Sequence, residues 1–153
     1  MKRFTTFLLI AFLSVPVITF AQYPATTPLE TGDLDKFIKT YKPLTADLDA
    51  LGEDFDEIED YNAIQALAAN EQVKAVLRKH GWDENWMGKW VTISVSYSFI
   101  KMEEEMANLP ADQRAYVEQY MSSSMTPLKE MVTESDVKKV RERLKELDEL
   151  FNY

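Results

Sequence analysis

Apolar residues along the first half of the chain keep a helical beat. Leu34, Phe37, Tyr41, Leu44, Leu48, Leu51, Phe55 and Ile58 step 3-4-3-4-3-4-3 without a miss. That spacing is the seam of an amphipathic helix packed at a shallow angle on its neighbours. Asp33 is placed to cap its start. Pro43 lacks an amide donor, so the pattern predicts a kink near Lys42 in a register that continues beyond it.

Shorter helical stretches follow. One runs from Asn62 to Ala69, and Asn70-Glu71 opens another that reaches His80. Gly81 stands where a left-handed residue closes a helix, with Arg78, Lys79 and His80 suited to the negative end of its dipole. Asp83 is placed to cap the next element.

Residues 83–108 carry two periods at once. Val91 to Phe99 alternates like a strand rich in β-branched residues. Trp86, Trp90, Ile93, Tyr97 and Ile100 mark one helical face, and Met87, Val91, Val95, Phe99, Met102 and Met106 mark another. No other segment offers a partner strand, and a lone strand leaves its backbone groups unpaired. The prediction is therefore a helix apolar on two sides, placed at the centre of the fold.

Pro110 suits a first helical turn. Tyr116, Val117, Tyr120, Met121, Ser124, Met125 and Leu128 form the next apolar face, up to Pro127-Leu128. Thr133 to Asp136 reads as a capping box with the shorter acid. The last helix presents Val137, Val140, Leu144, Leu147 and Phe151 inward, with Lys138–Glu142 and Lys145–Glu149 as outward pairs. The expected fold is all-α: a single antiparallel helical bundle of about five helices over residues 33–153.

The first 21 residues break this pattern. Lys2 and Arg3 precede an apolar run from Phe7 to Phe20, and Thr19-Phe20-Ala21 supplies small residues at −3 and −1. This is the layout of a signal peptide cleaved near Ala21, before Gln22. The run is shorter than the roughly 20 residues that span a bilayer. Gln22 to Gly32 holds two prolines and three threonines with no apolar period, and reads as an extended tether. The localisation expected is periplasmic or secreted.

Composition narrows the chemistry. The 153 residues include no cysteine, one histidine and four glycines. Thiolate metal sites, a cysteine nucleophile and lipid attachment at cysteine are excluded. Without Lys2 and Arg3 the remaining chain holds 15 basic against 26 acidic residues, a net charge near −11. Such a surface disfavours nucleic acid and anionic headgroups. No nucleophile–base set, phosphate-binding glycine loop or metal-ligand cluster stands out, so neither catalysis nor a cofactor is expected.

Candidate binding residues remain. Asp47, Asp49, Glu53, Asp54, Asp56, Glu57, Glu59 and Asp60 form the densest charge run. Asp47, Asp49 and Gly52 match positions 1, 3 and 6 of a calcium loop, but Leu51 and Ile58 stand at positions 5 and 12, where oxygen ligands are needed. Asp49, Glu53, Asp56 and Asp60 share one outward helical stripe, read first as a solvated face and second as a weak divalent-cation site. His80 is read as structural, since zinc sites use several His or Cys ligands. Trp82, Trp86 and Trp90 lie one turn apart. They are read first as core, with Trp82 the most exposed of the three, and second as the wall of a ligand or partner groove with Ser94, Tyr97, Met102 and Met106. Six methionines between Met87 and Met131 fill irregular cores or form adaptable surfaces.

Leu109-Pro110-Ala111-Asp112-Gln113-Arg114 resembles the LTxxQR box of the LTxxQ periplasmic chaperones, a family of small, exported, all-helical proteins. Leu109 and Gln113 match, Asp112 and Arg114 are compatible, and Pro110 replaces the threonine. The resemblance covers six residues once. It implies a chaperone as a further alternative to the leading expectation, which is a non-catalytic helical protein that binds another envelope protein through an apolar groove. A protein binding an apolar small molecule or a divalent cation is the second expectation. No stable membrane insertion is expected.

Overall fold

The computed structural model describes residues 26–51, 69–111, 113–114 and 129–151. These residues are mostly helical, with no strand among them. Among the described residues five helices follow one another: α1 (Asp33–Asp49), α2 (Glu71–Lys79), α3 (Trp86–Asn108), α4 (Glu134–Glu142) and α5 (Leu144–Phe151). α1 packs on α2, α3 and α5, and α3 packs closely on α4. One apolar cluster draws on all five helices and on Leu29 ahead of them.

The seam of α1 is buried as its spacing requires. Leu34, Phe37, Tyr41, Leu44 and Leu48 are all inside, and Leu51 packs on the cluster edge. Phe55 and Ile58 lie outside the described residues. The helix runs without a break through Pro43, whose ring is on the exposed side. Its start differs from expectation. Gly32, at φ 91°, takes the cap position with no side-chain bond, and Asp33 is the first helical residue. The Asp33 carboxylate accepts the Glu30 amide at 2.8 Å and lies 3.1 Å from Lys89 Nζ. The buried Asp33 carboxylate is thus taken by the Glu30 amide and Lys89 and does not cap its own helix.

α2 keeps both of its predicted ends. Asn70 Oδ1 accepts the Gln72 amide at 2.8 Å and the Val73 amide at 3.4 Å. At the other end Gly81 is left-handed at φ 78°. The Trp82 amide donates to the Leu77 carbonyl, and the Gly81 amide to that of Arg78. These two bonds define a Schellman motif, which brings the residue after the glycine back onto the helix.

Residues 91–99 are helical, within the 23-residue α3. Trp90, Ile93, Tyr97 and Ile100 enter the core, on the 3-4-3 face. Gly88, Thr92 and Ser96, one turn apart, are also buried and leave α3 a slim flank. Thr92 Oγ1 bonds back to the Gly88 carbonyl at 2.9 Å. Asp83 does not cap α3 itself. Its carboxylate accepts the Asn85 amide at 2.9 Å, in the turn that leads into the helix.

The expected last helix is two. α4 and α5 meet at Arg143, whose amide bonds to Val140 three residues back. The Arg143 guanidinium pairs with Glu146 and reaches across to Asp35 on α1. Val140, Leu147 and Leu150 are buried, while Val137, Leu144 and Phe151 pack on the cluster from its edge. Lys138–Glu142 and Lys145–Glu149 do not pair; these side chains stay in solvent, where such pairs are worth little.

Candidate functional site

The aromatic side chains converge in the core. Trp90 stands 4.9 Å from Phe37, 5.6 Å from Tyr41 and Trp86, and 6.0 Å from Trp82, ring centre to ring centre. Phe151 extends the array, touching Phe37, Tyr41 and Tyr97. These separations and tilted or edge-on angles suit the ring quadrupoles.

Trp82, expected to be the most exposed of the three tryptophans, is the least exposed. Trp82 is only 2% exposed, whereas Trp86 is half-buried. The cause is the turn at Gly81, which folds Trp82 back over Leu77. Trp82 Nε1 then donates to Thr40 Oγ1 at 3.0 Å, and Lys36 Nζ sits 4.9 Å over its ring. Lying between helices, Trp82 is packed by tertiary contact instead of by helical period.

The residues proposed to line a groove therefore separate. Trp82, Trp90 and Tyr97 belong to the core cluster, Ser94 is buried, and Trp86 packs at the cluster's edge. Met102 and Met106 lie beyond Ile100, the last core residue of α3, and are half-buried beside exposed Glu103, Glu104 and Glu105. Of the proposed cation ligands, Asp49 is exposed at the end of α1, and Glu53, Asp56 and Asp60 lie outside the described residues. Among the described residues no group of three or more His, Asp or Glu side chains is arranged to hold a metal ion.

Ionisable groups tie helix to helix. His80 caps α2, and its Nε2 lies 2.7 Å from Asp47 Oδ2 on α1. Hydrogen bonds from Lys79 and His80 hold the Asp47 carboxyl below the usual carboxylate value. The buried Tyr97 hydroxyl donates to Asp148 of α5 at 2.7 Å. Lys101 pairs with Asp148 and Glu104. Burial pulls the Lys101 ammonium down, but those two carboxylates outweigh it and leave it above the usual lysine value. Arg114 donates to the Ala107 and Leu109 carbonyls, so this member of the chaperone-like box closes the end of α3.

A second site was not visible in the sequence. Thr26 to Gly32, the described part of the expected tether, lies as a non-helical strap against α3 and the start of α4. Leu29 is 3% exposed, within the core cluster. Its amide donates to Asp136 Oδ1 at 3.0 Å across 107 residues of chain, and its carbonyl accepts from Lys139 Nζ. Thr133 caps α4 as predicted, accepting the Asp136 amide at 3.1 Å. The return half of the capping box is absent: the Asp136 carboxylate takes the Thr133 hydroxyl and the strap amide. The capping signature marked Asp136 but carried no sign of its distant partner.

Asp136 is 2% exposed, and its removal leaves the Leu29 amide without an acceptor. Asp136→Ala is expected to cost about 2–4 kcal/mol of stability, combining the lost bonds and the stranded donor. Thr133→Ala loses the cap and its hydroxyl bond to Asp136 but leaves the strap amide paired, and is expected to cost less, about 1–2 kcal/mol. Urea unfolding monitored by circular dichroism measures both, and equal costs would deny Asp136 a role beyond capping.

No family model, curated protein or solved structure matches this chain.

Proposed function

We propose that this chain is an exported, non-catalytic helical protein that binds a basic, amphipathic segment of another envelope protein through the second half of α3. The signal-peptide pattern of residues 1–21 supports export, with cleavage before Gln22. An antiparallel bundle is the arrangement that the shared core favours. Among the described residues no helix is long and apolar enough to cross a membrane.

The observation that carries the reading is the position of Met102 and Met106. They sit one turn apart on a stretch of α3 that gives nothing to the core cluster of the described residues, half-buried and bordered by three exposed glutamates. Methionine adapts to varied apolar surfaces. The glutamates and the overall acidity select a cationic partner and speed its encounter. The rings gathered around Trp90 are engaged with one another and do not supply this surface.

The natively folded protein is expected to bind a hydrophobic reporter dye. It is also expected to bind a basic amphipathic peptide more weakly as salt is added. The double variant Met102→Glu/Met106→Glu is expected to lose both while keeping its melting temperature, because neither methionine is in the core. Native protein that ignores the dye and the peptide would rule the surface out.

A further inference from the structure

The helices hold Thr26–Gly32 as a groove holds an extended peptide. Both main-chain groups of Thr27 are taken by α3: its amide donates to the Gly88 carbonyl at 3.2 Å, and its carbonyl accepts from Thr92 Oγ1 at 2.8 Å. Two residues on, both main-chain groups of Leu29 are taken by Asp136 and Lys139 of α4. A two-residue alternation is the period of extended chain. Main-chain bonds combined with a pocket for alternate side chains are the usual means of reading such a segment. Leu29 fills the pocket, and the Glu30 carboxylate lies 3.4 Å from Lys89 Nζ.

The acceptor is thus built wholly from the helices, and the strap is joined to α1 through Thr31 and Gly32 and by two bonds between Glu30 and Asp33. Gly32 adopts φ 91°, and a Cβ placed there would meet nothing within 4 Å. The turn that folds the strap back is closed by the Asp33 amide on the Glu30 carbonyl at 3.3 Å and by the Glu30 amide on the Asp33 carboxylate at 2.8 Å, with Gly32 supplying its left-handed residue.

We propose that this cleft also accepts residues 26–30 of a second copy of the chain, giving a strap-exchanged dimer in which Thr31 and Gly32 open into extended chain. The bonds to α3 and α4 do not depend on which chain supplies the strap, so they are conserved on exchange. Closed monomer and exchanged dimer then differ in hinge conformation, in whether the two Glu30–Asp33 bonds form within one chain or between two, and in the entropy of association. A short hinge is where exchange is favoured. Glycine makes the closed turn accessible and keeps the monomer dominant when dilute; a side chain at position 32 penalises only the closed form. The cleft shares no residue with the Met102–Met106 surface, so the two proposals stand or fall separately.

The test is light scattering after size exclusion on the purified full chain, processed as its host processes it, over a range of concentrations. An L-residue forced into the left-handed region disfavours the closed hinge by about 5- to 30-fold. The dimer association constant is expected to rise by the square of that factor, since each dimer opens two hinges. Gly32→Ala is expected to show a smaller rise than Gly32→Val, whose β-branched side chain tolerates positive φ least. Adding Leu29→Asp to Gly32→Val empties the pocket in both forms and is expected to restore the monomer. Gly32→Ala keeps the comparison readable if Gly32→Val does not fold. A Gly32→Val protein that stays monomeric, whether or not it captures another protein, overturns the proposal. So does a dimer that survives Leu29→Asp, because it must be held elsewhere.

Discussion

Lys89→Ala is expected to lose about 3–5 kcal/mol of folding stability, because it strands a buried carboxylate. The Lys89 side chain is 6% exposed and that of Asp33 is 5% exposed, with 3.1 Å between the charged atoms. Removing the cation leaves Asp33 desolvated with only the Glu30 amide as donor. The double variant Asp33→Asn/Lys89→Met is expected to recover most of that loss. The asparagine oxygen still accepts the Glu30 amide, and no buried charge remains. Urea unfolding of both variants decides the matter: a double variant as unstable as Lys89→Ala would place the cost in packing and not in charge. A pH dependence follows from the same pair. Burial pulls the Lys89 ammonium down, but its bond to Asp33 and the charges of Asp33, Glu30 and Asp83 raise it above the ordinary 10.5. The pair's contribution is therefore complete below pH 10.5 and is lost as pH climbs through the raised value. Lys89→Met, in the double variant, removes that alkaline loss.

Trp90→Ala is expected to cost a further class of interaction, about 3–5 kcal/mol from lost burial and the cavity left behind. Trp90 is 5% exposed, and four other rings lie against it. Its Nε1 is buried with no acceptor among the described residues. Trp90→Phe gives up part of the ring but also removes that stranded donor, so about half the alanine cost is expected. Trp86→Ala, at the rim of the cluster, is expected to cost less than either. Thermal and urea unfolding of the three variants test this order, and a Trp86→Ala protein less stable than Trp90→Ala would show that the array is centred elsewhere. Losses of this size are a large fraction of the roughly 5–15 kcal/mol that holds a domain together.

How far the fold could be read in advance varied with the range of the forces involved. The seam from Leu34 to Leu48, the face of Trp90, Ile93, Tyr97 and Ile100, the Asn70 and Thr133 caps and the left-handed Gly81 were all legible, and all are present. Each rests on residues within one or two turns of one another. Errors gathered where the chain leaves a helix. Trp82 shares a helical stripe with Trp86 and Trp90 but stands just outside the helix, which predicts exposure, yet the Gly81 turn and Thr40 bury it. Asp33 was assigned to capping because only its neighbours were in view, yet Lys89, 56 residues away, claims its carboxylate. The break at Arg143 carries no glycine or proline to mark it.

The candidate sites divide in the same way. Met102 and Met106 were identifiable because both helical faces of α3 show in its spacing. The strap cleft was not, since it joins Thr27 and Leu29 to Gly88, Thr92, Asp136 and Lys139 across separations of up to 110 residues.

By itself, then, the sequence determined the all-α class, the buried faces of α1 and α3 and the helix ends marked by Asn70, Gly81 and Thr133. These follow from a local period and from local hydrogen bonds. Only the tertiary structure decided which buried charge meets which, that Trp82 is covered, and that Thr26–Gly32 is a strap bound in a cleft. Those outcomes depend on which helix ends come together, and no local pattern encodes the partner of a polar group a hundred residues away.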